Sequence, residues 1–426
     1  MTRMLTRRAF TTLIAGGSAA LVADLKAQGQ PEPATAVTAA PAADDERYWE
    51  RICQQFVLRP GLAVMNAANL CPSSRPVLEA LRRATDDIDA DPSPMNREKL
   101  GPAKEAVRLA VADFLRVAPG EIVLTRNTSE SNNLVSNGLE LKAGDEVVIF
   151  DDNHPSNHLA WREKARRFGF VVTVLPVSHP HPGFDQYVDV VRKAMTPRTR
   201  VLAFSHINNT AGDLRPAAEM CRLARERDVL TLVDGAQSFG LLDVNLAEMQ
   251  PDFYTGSAHK WPCGPKEAGV LFVSQRVQAR LWPTIYSAYP GATGLSKTFE
   301  GFGQRDEPAL IAFAEALAFQ NAIGRPAVER RARSLAGALA EGLAAIPGVT
   351  VWTHPSPERS TAVVSVRPGT LDPGKLASRL YESDRIGCAV LGGERGGLRF
   401  SPHIYNTRAE VERVVAAVGR YVKSGA

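Results

Sequence analysis

Cysteine is scarce in this 426-residue chain: Cys53, Cys71, Cys221, Cys263 and Cys388 are odd in number and widely spaced. With no CxxC pair and no histidine at zinc-ligand spacing, they exclude a disulfide framework and a cysteine-based metal centre. A long hydrophobic run is also missing. The apolar stretch from Thr11 to Val22 is too short to span a bilayer, and no internal repeat is present. Charge of one sign is missing too. Of the net +4, residues 1–27 carry +3 through Arg3, Arg7, Arg8 and Lys26 against Asp24. The remainder is close to neutral, which excludes a nucleic-acid footprint.

What is present at the start is informative. Thr6-Arg7-Arg8-Ala9-Phe10 leads into the Ala- and Gly-rich run to Val22, the layout of a twin-arginine export signal. A Pro/Ala-rich stretch follows from Gln30 to Ala43. We therefore expect a signal over residues 1–27, a linker over 28–45, and a protein carried folded to the periplasm by the twin-arginine translocase. Beyond that the composition, 44% hydrophobic and 23% charged, is that of a globular enzyme with room for more than one domain.

After a short helix expected over 48–57, apolar runs alternate with helical patterns. Strands are expected at 122–124, 146–150, 171–175, 200–205, 230–233, 252–255 and 270–273, with helices at 131–139, 160–168, 187–194 and 217–227. This alternation predicts an α/β fold with a mainly parallel sheet between helices. Residues 308–345 are helical and alanine-rich, broken near Gly324-Arg325-Pro326, and smaller strands and helices follow from Val349. The expected domains are a large one over 46–320 and a small C-terminal α/β domain over 321–426. Reactive side chains follow directly after many strands, where ligands bind in such sheets.

One strand delivers Asp234 in Leu232-Val233-Asp234-Gly235-Ala236-Gln237-Ser238, and the next delivers Ser257-Ala258-His259-Lys260. Pyridoxal 5'-phosphate (PLP) chemistry needs a lysine to hold the aldehyde as a Schiff base. It also needs a carboxylate to keep the pyridine nitrogen protonated, so that the ring accepts electrons. Lys260 and Asp234 suit those roles. Either alone would read as a surface charge; the ordered set carries the argument. From these residues the chain resembles, over about residues 60–410, the class V aminotransferase family of fold-type I PLP-dependent enzymes, which includes isopenicillin N epimerases and cysteine desulfurases.

The resemblance implies a large PLP-binding domain with a seven-stranded sheet, and it implies roles. In Arg126-Asn127-Thr128-Ser129-Glu130, Thr128 and Ser129 would meet the phosphate at a helix start. Ser257 and His259 would add phosphate contacts. His154, in Asp152-Asn153-His154-Pro155, would stack on the pyridine ring and move protons. Gln237 would donate to the phenolate oxygen, with Asn209 near that oxygen and the substrate carboxylate. Arg399, in Leu398-Arg399-Phe400-Ser401-Pro402-His403-Ile404-Tyr405-Asn406, would fork onto the substrate α-carboxylate.

Two departures stand out. Cysteine desulfurases need a nucleophilic cysteine shortly before that arginine, yet residues 390–397, Val-Leu-Gly-Gly-Glu-Arg-Gly-Gly, contain none. Cys388, upstream, reads as a buried thiol at a strand end. Gln304, in Gly303-Gln304-Arg305-Asp306, stands where epimerase-like members carry a threonine reaching the phosphate of the neighbouring subunit. That crossing would make the enzyme a homodimer.

The resulting expectation is an enzyme acting on a small-molecule substrate, an amino acid or amino-acyl group, through an external aldimine and Cα deprotonation, of epimerase, aminotransferase or lyase type. An exported member is similar to periplasmic PLP enzymes that tailor the glutamyl side chain of a siderophore, pyoverdine. The alternatives are a cysteine desulfurase or C-S lyase, and a PLP-fold protein that binds without turnover; a pure binder has no use for the electron-sink Asp234. For the export signal, the Arg7→Lys/Arg8→Lys double variant is expected to strand the protein in the cytoplasm, read by cell fractionation. Undiminished periplasmic protein would dismiss the signal.

Overall fold

Seven short runs rich in Val, Ile, Leu and Phe pair edge to edge into the central sheet of the computed structural model, which describes residues 42–425 apart from Pro180 and Glu394. The expected signal over 1–27 and all but the last residues of the expected linker lie outside the described residues.

A two-residue strand, β1 (Ala63–Val64), precedes the sheet strands β2 (Ile122–Thr125), β3 (Glu146–Phe150), β4 (Val171–Leu175), β5 (Thr199–Ser205), β6 (Leu230–Asp234), β7 (Phe253–Ser257) and β8 (Gly269–Val273). They lie in the order β2-β8-β7-β6-β5-β3-β4. The β3–β4, β3–β5, β5–β6 and β6–β7 pairings are parallel, and β8 runs antiparallel to both of its neighbours. A sheet covered on both faces needs apolar side chains on both, and the strands comply. Val147 and Ile149 join one buried cluster with Leu134, Val135 and Trp161, while Val148 and Phe150 join another with Val111, Tyr187 and Phe313. All seven strands were legible from their runs. The edge strand β4 is the least covered, with Val171 exposed.

Helix starts were less legible. The helix expected from Ser131 begins at Thr128, and that expected from Ala160 begins at Pro155. In both the first turn is opened by a polar cap rather than by apolar periodicity. The Asn127 side chain accepts from Glu130 N at 3.0 Å, and His154 caps the second helix, with proline at its first position. The helix expected over 48–57 runs Glu46–Cys53, capped by Asp45; Phe56 instead makes a bridge to Ser74. The break expected near residue 324 is real: helices Glu307–Ile323 and Arg325–Ala344 meet at Gly324, whose φ of +93° a side chain would resist.

Beyond the second of these helices lie β9 (Val349–Val351), β10 (Val364–Pro368), β11 (Ile386–Gly387), β12 (Ala389–Leu391) and β13 (Gly397–Phe400). Four of them form an antiparallel sheet in the order β12-β13-β10-β9. The chain's start is stitched to this region: β1 pairs parallel with β11, Ser401 N donates to Met65 O at 2.7 Å, and Ala67 N donates to Ser401 O at 3.0 Å. No helix among the described residues is long and apolar enough to cross a membrane.

A buried ion pair fixes the start of β2. Arg108 Nη1 and Nη2 donate to the two Glu300 oxygens at 2.6 and 2.8 Å, and Leu124 N donates to Glu300 Oε1 at 2.7 Å. Both side chains are 1% exposed; Arg108 keeps Glu105 as a second carboxylate partner, so removing Glu300 leaves the buried guanidinium short of two acceptors and Leu124 N without one. Glu300→Ala is expected to cost about 3–5 kcal/mol in urea unfolding; a loss below about 1 kcal/mol would mean that water replaces the carboxylate.

Candidate active site

The strands that point one way all end on one edge of the sheet, and the loops leaving that edge carry the expected residues: Thr128 after β2, His154 after β3, Asn209 after β5, Asp234 at the end of β6, and Ser257 to Lys260 at the end of β7. Arg399 comes to them from β13.

Asp234 is buried with both oxygens engaged. Oδ2 accepts from Asn132 Nδ2 at 2.9 Å and Oδ1 from Ala236 N at 3.0 Å. Asn132, on helix Thr128–Gly138, has its amide direction set by Thr255, whose hydroxyl donates to Asn132 Oδ1 at 3.1 Å. The carboxylate therefore sits at a defined height above the sheet.

Lys260 Nζ has no hydrogen-bond partner among the described residues. Burial pulls its ammonium down to about 8, even though the residue keeps some solvent contact; Asp234 opposes the shift and Arg399 adds to it. His154 is lowered by burial and then by Lys260, with Asp234 opposing and Arg399 adding. Lys260, Asp234, His154 and Arg399 thus share one electrostatic neighbourhood. His154 Nδ1 accepts from Ser156 N at 3.2 Å and lies 2.8 Å from Ser156 Oγ, which places the neutral ring's proton on Nε2.

At the helix start, Thr128 N donates to Ser257 Oγ at 2.8 Å, and the two hydroxyls lie 2.8 Å apart. Both residues are buried. The Ser129 side chain is exposed, so this residue offers the helix start its backbone N–H, which has no acceptor among the described residues. His259 Nδ1 is buried and has no partner among the described residues, and burial takes its ring down to about 4.

Arg399, 6% exposed, donates from Nη1 to Asn209 O at 2.8 Å and from Nη2 to Asn66 Oδ1 at 3.3 Å, while its buried Nε has no partner among the described residues. No carboxylate among the described residues pairs with it, and burial alone draws it down to about 10. Asn209 enters the site through this carbonyl. Gln237 is held at both ends of its amide, by Trp261 Nε1 and by Ala68 O. Gln304 lies at the surface, accepting from Arg97 Nη2 of its own chain at 2.7 Å. Cys388, just after β11, is half-buried, its thiol pushed up to about 12.

Three contributors escaped the sequence reading. Asn132 had a usable signal, one helical turn after Thr128 on the face toward the sheet. Trp261 follows Lys260 directly in the chain, and its bond to Gln237 is visible only in the fold. Asn66 is brought to Arg399 by its long-range bridge to Ser401, beyond the end of β1.

These residues fit PLP. The unpartnered His259 Nδ1 and Ser129 N–H, with the Thr128 and Ser257 hydroxyls at a helix N-terminus, suit a phosphate. Asp234 suits a protonated ring nitrogen, and Lys260, drawn toward its neutral form, suits an aldehyde.

The Aminotransferase class-V family model matches residues 74–414. The chain is 33% identical over 392 residues to an isopenicillin N epimerase of Amycolatopsis lactamdurans, covering 87% of this chain and 98% of that protein. It is 28% identical over 382 residues to a probable cysteine desulfurase of Methanothermobacter thermautotrophicus, covering 82% and 92%. Among solved structures, the apo cysteine desulfurase of Thermococcus onnurineus superposes with a TM-score of 0.80 at 24% identity, over 92% of this chain and all of that one. A mutant of the cystine C-S lyase C-DES, with glycine covalently linked to its PLP cofactor, also gives 0.80, at 23% identity over 86% and 98%. The fold, the convergence at the sheet edge and these relatives agree: the chain belongs to the class V aminotransferase family and is a PLP-dependent enzyme.

Proposed function

We propose that the enzyme acts on an amino acid, or on a compound ending in an amino-acyl group with free α-amine and α-carboxylate, by moving the proton on Cα with Lys260. The reaction type is epimerisation, transamination or elimination. The observation that carries this reading is Arg399, a buried guanidinium with no acidic partner and an unused Nε, next to the one lysine that Asp234 faces. A buried charge without a counter-ion is costly, and a substrate carboxylate would supply one.

When bound, PLP supplies an aldehyde that a primary amine condenses with and a cationic ring that draws electron density from Cα. Asp234, braced by Asn132 and Ala236 N, would hold the proton at the ring nitrogen. Thr128, Ser257, His259 and the Ser129 N–H would hold the phosphate, and Gln237 would offer its amide hydrogen to the ring oxygen. His154, with its proton on Nε2, would lie against the ring. Arg399 and the Asn209 carbonyl it holds would orient the substrate carboxylate. Lys260, once free, would take the Cα proton as a neutral amine and return it.

Desulfuration is the second reading, named by several relatives. It needs a thiolate to accept sulfur. Residues 390–397 hold no cysteine, and Cys388, held near 12 by burial, has negligible thiolate at neutral pH. The likeness to isopenicillin N epimerases over nearly their whole length supports Cα proton chemistry instead.

We further propose an exported homodimer. The twin-arginine layout of residues 6–22 supports export, toward a tailoring role on an amino-acyl product such as a siderophore side chain. The exposed Trp282, Tyr286 and Tyr289 support a partner surface, and Gln304 lies beside Arg126 and Glu130 at the rim of a cavity of about 330 Å³.

Two outcomes are expected. Only the neutral amine of Lys260 attacks the aldehyde, and its depressed value puts that form in the majority above about 8. The rate at which apoprotein gains visible absorbance with PLP should therefore climb between pH 7 and 8.5 and level off, and Lys260→Ala should gain none. A rate still climbing steeply near pH 10 would mean an ordinary surface lysine. Second, Arg399→Gln should weaken α-proton exchange of an amino-acid panel in deuterated buffer by about 100-fold in kcat/KM, mainly through KM. Sulfide release from cysteine with multiple turnovers by wild type would reverse the ranking of the two readings.

A further inference from the structure

The Gln237 side chain is 3% exposed, and an amide in that position could face either way by shape alone. Its neighbours decide. Trp261 Nε1–H, which can only donate, lies 2.8 Å from Gln237 Oε1. The Ala68 carbonyl, which can only accept, takes Gln237 Nε2–H at 2.9 Å. A flip would set donor against donor and acceptor against acceptor. One Nε2 hydrogen is left over.

Both neighbours are held by the same short stretch, Ser401-Pro402-His403, two residues after Arg399. Ala68 N donates to Ser401 Oγ at 3.0 Å. His403, fully buried, has Nε2 2.7 Å from the Trp261 carbonyl, and its ring stands edge-on to the indole at 5.0 Å. Gln320 Nε2 donates to the same carbonyl at 2.7 Å. Trp261 itself is 0% exposed and follows Lys260 directly in the chain.

We propose that Trp261 is a positioning residue: held by His403, it locks the Gln237 amide so that its remaining N–H is presented to the anionic ring oxygen of the cofactor. This rests on Lys260 being the cofactor lysine. A donor on that oxygen weakens its hold on the neighbouring protonated lysine nitrogen, so the amide lowers the pH at which that nitrogen loses its proton. An amide free to turn presents its carbonyl instead and the midpoint rises.

The test is the visible absorbance of holoenzyme titrated with pH, together with the PLP dissociation constant from equilibrium dialysis. Trp261→Phe keeps an aromatic ring against His403 and removes the N–H together with the indole's second ring. The midpoint is expected to rise by about one pH unit, with PLP held several-fold more weakly. Gln237→Leu should raise it as well, and the double variant should add nothing to Gln237→Leu. The groups around Lys260, namely Asp234, Arg399, His154, His259 and Cys71, are unchanged in all of these. Far-UV circular dichroism checks folding; if Trp261→Phe does not fold, Ser401→Ala, which frees Ala68, carries the test in the same direction. An unmoved midpoint in folded Trp261→Phe, or additive shifts in the double variant, would overturn the positioning role. A wild type with no visible band after PLP addition would remove the cofactor reading beneath it.

Discussion

The burial of one amine organises this molecule. Lys260 sits where an ammonium is disfavoured, between a carboxylate that opposes the loss of its proton and a guanidinium that promotes it. Desolvation outweighs the attraction of Asp234, and the balance lands near 8, where the neutral, nucleophilic form is accessible without the lysine ceasing to be a base. Such a balance survives only if both charges stay in place. Asp234 is fixed by Asn132 and by its own turn, and Arg399 by a backbone carbonyl and an asparagine rather than by an acid that would neutralise it. The guanidinium is thereby left for a carboxylate from outside.

The second constraint is how distant segments reach that amine. The sheet edge supplies most of the site because aligned strands end together. The rest comes from the stretch 399–403 and from residues 65–68, which are hydrogen-bonded to each other through Met65, Ala67, Ala68 and Ser401. The same stretch presents Arg399 and holds the two groups on which Gln237 rests. Substrate recognition and cofactor orientation are therefore mechanically one unit, and a shift of β13 would disturb both.

Much of this was legible in the chain, for physical reasons. Buried parallel strands must be apolar throughout, so all seven were visible as runs, and Asp234 and Lys260 stood out because a charged residue at the end of such a run needs a purpose. Two helix starts were misplaced by three and five residues because the signal there is a cap, at Asn127 and His154, not a period, whereas the helix expected from Ala217 begins there. Side-chain direction was not legible at all. Ser129, expected to offer its hydroxyl and its N–H, lies exposed at the helix start; Gln304, expected to reach a neighbouring subunit's phosphate, accepts from Arg97 within its own chain. Asn66 and Trp261 depend on long-range pairing that no local pattern encodes.

The inventory of protons narrows the chemistry further. Arg399 stays charged near neutrality even when drawn down to about 10, and His259, held near 4, stays neutral. Cys388 stays a thiol. Of these groups, Lys260, drawn down to about 8, lies where a modest change of surroundings alters its state. Transamination and elimination need only one such carrier, which removes a proton and redelivers it on the same side of the substrate. Epimerisation needs a proton on the opposite side as well. The titratable group that would meet that demand is His154, half-buried, lowered by burial and by Lys260, with its proton on Nε2 because Ser156 occupies Nδ1. Inversion would require His154 to give up and recover that proton, a property on which burial, Lys260 and Ser156 all bear.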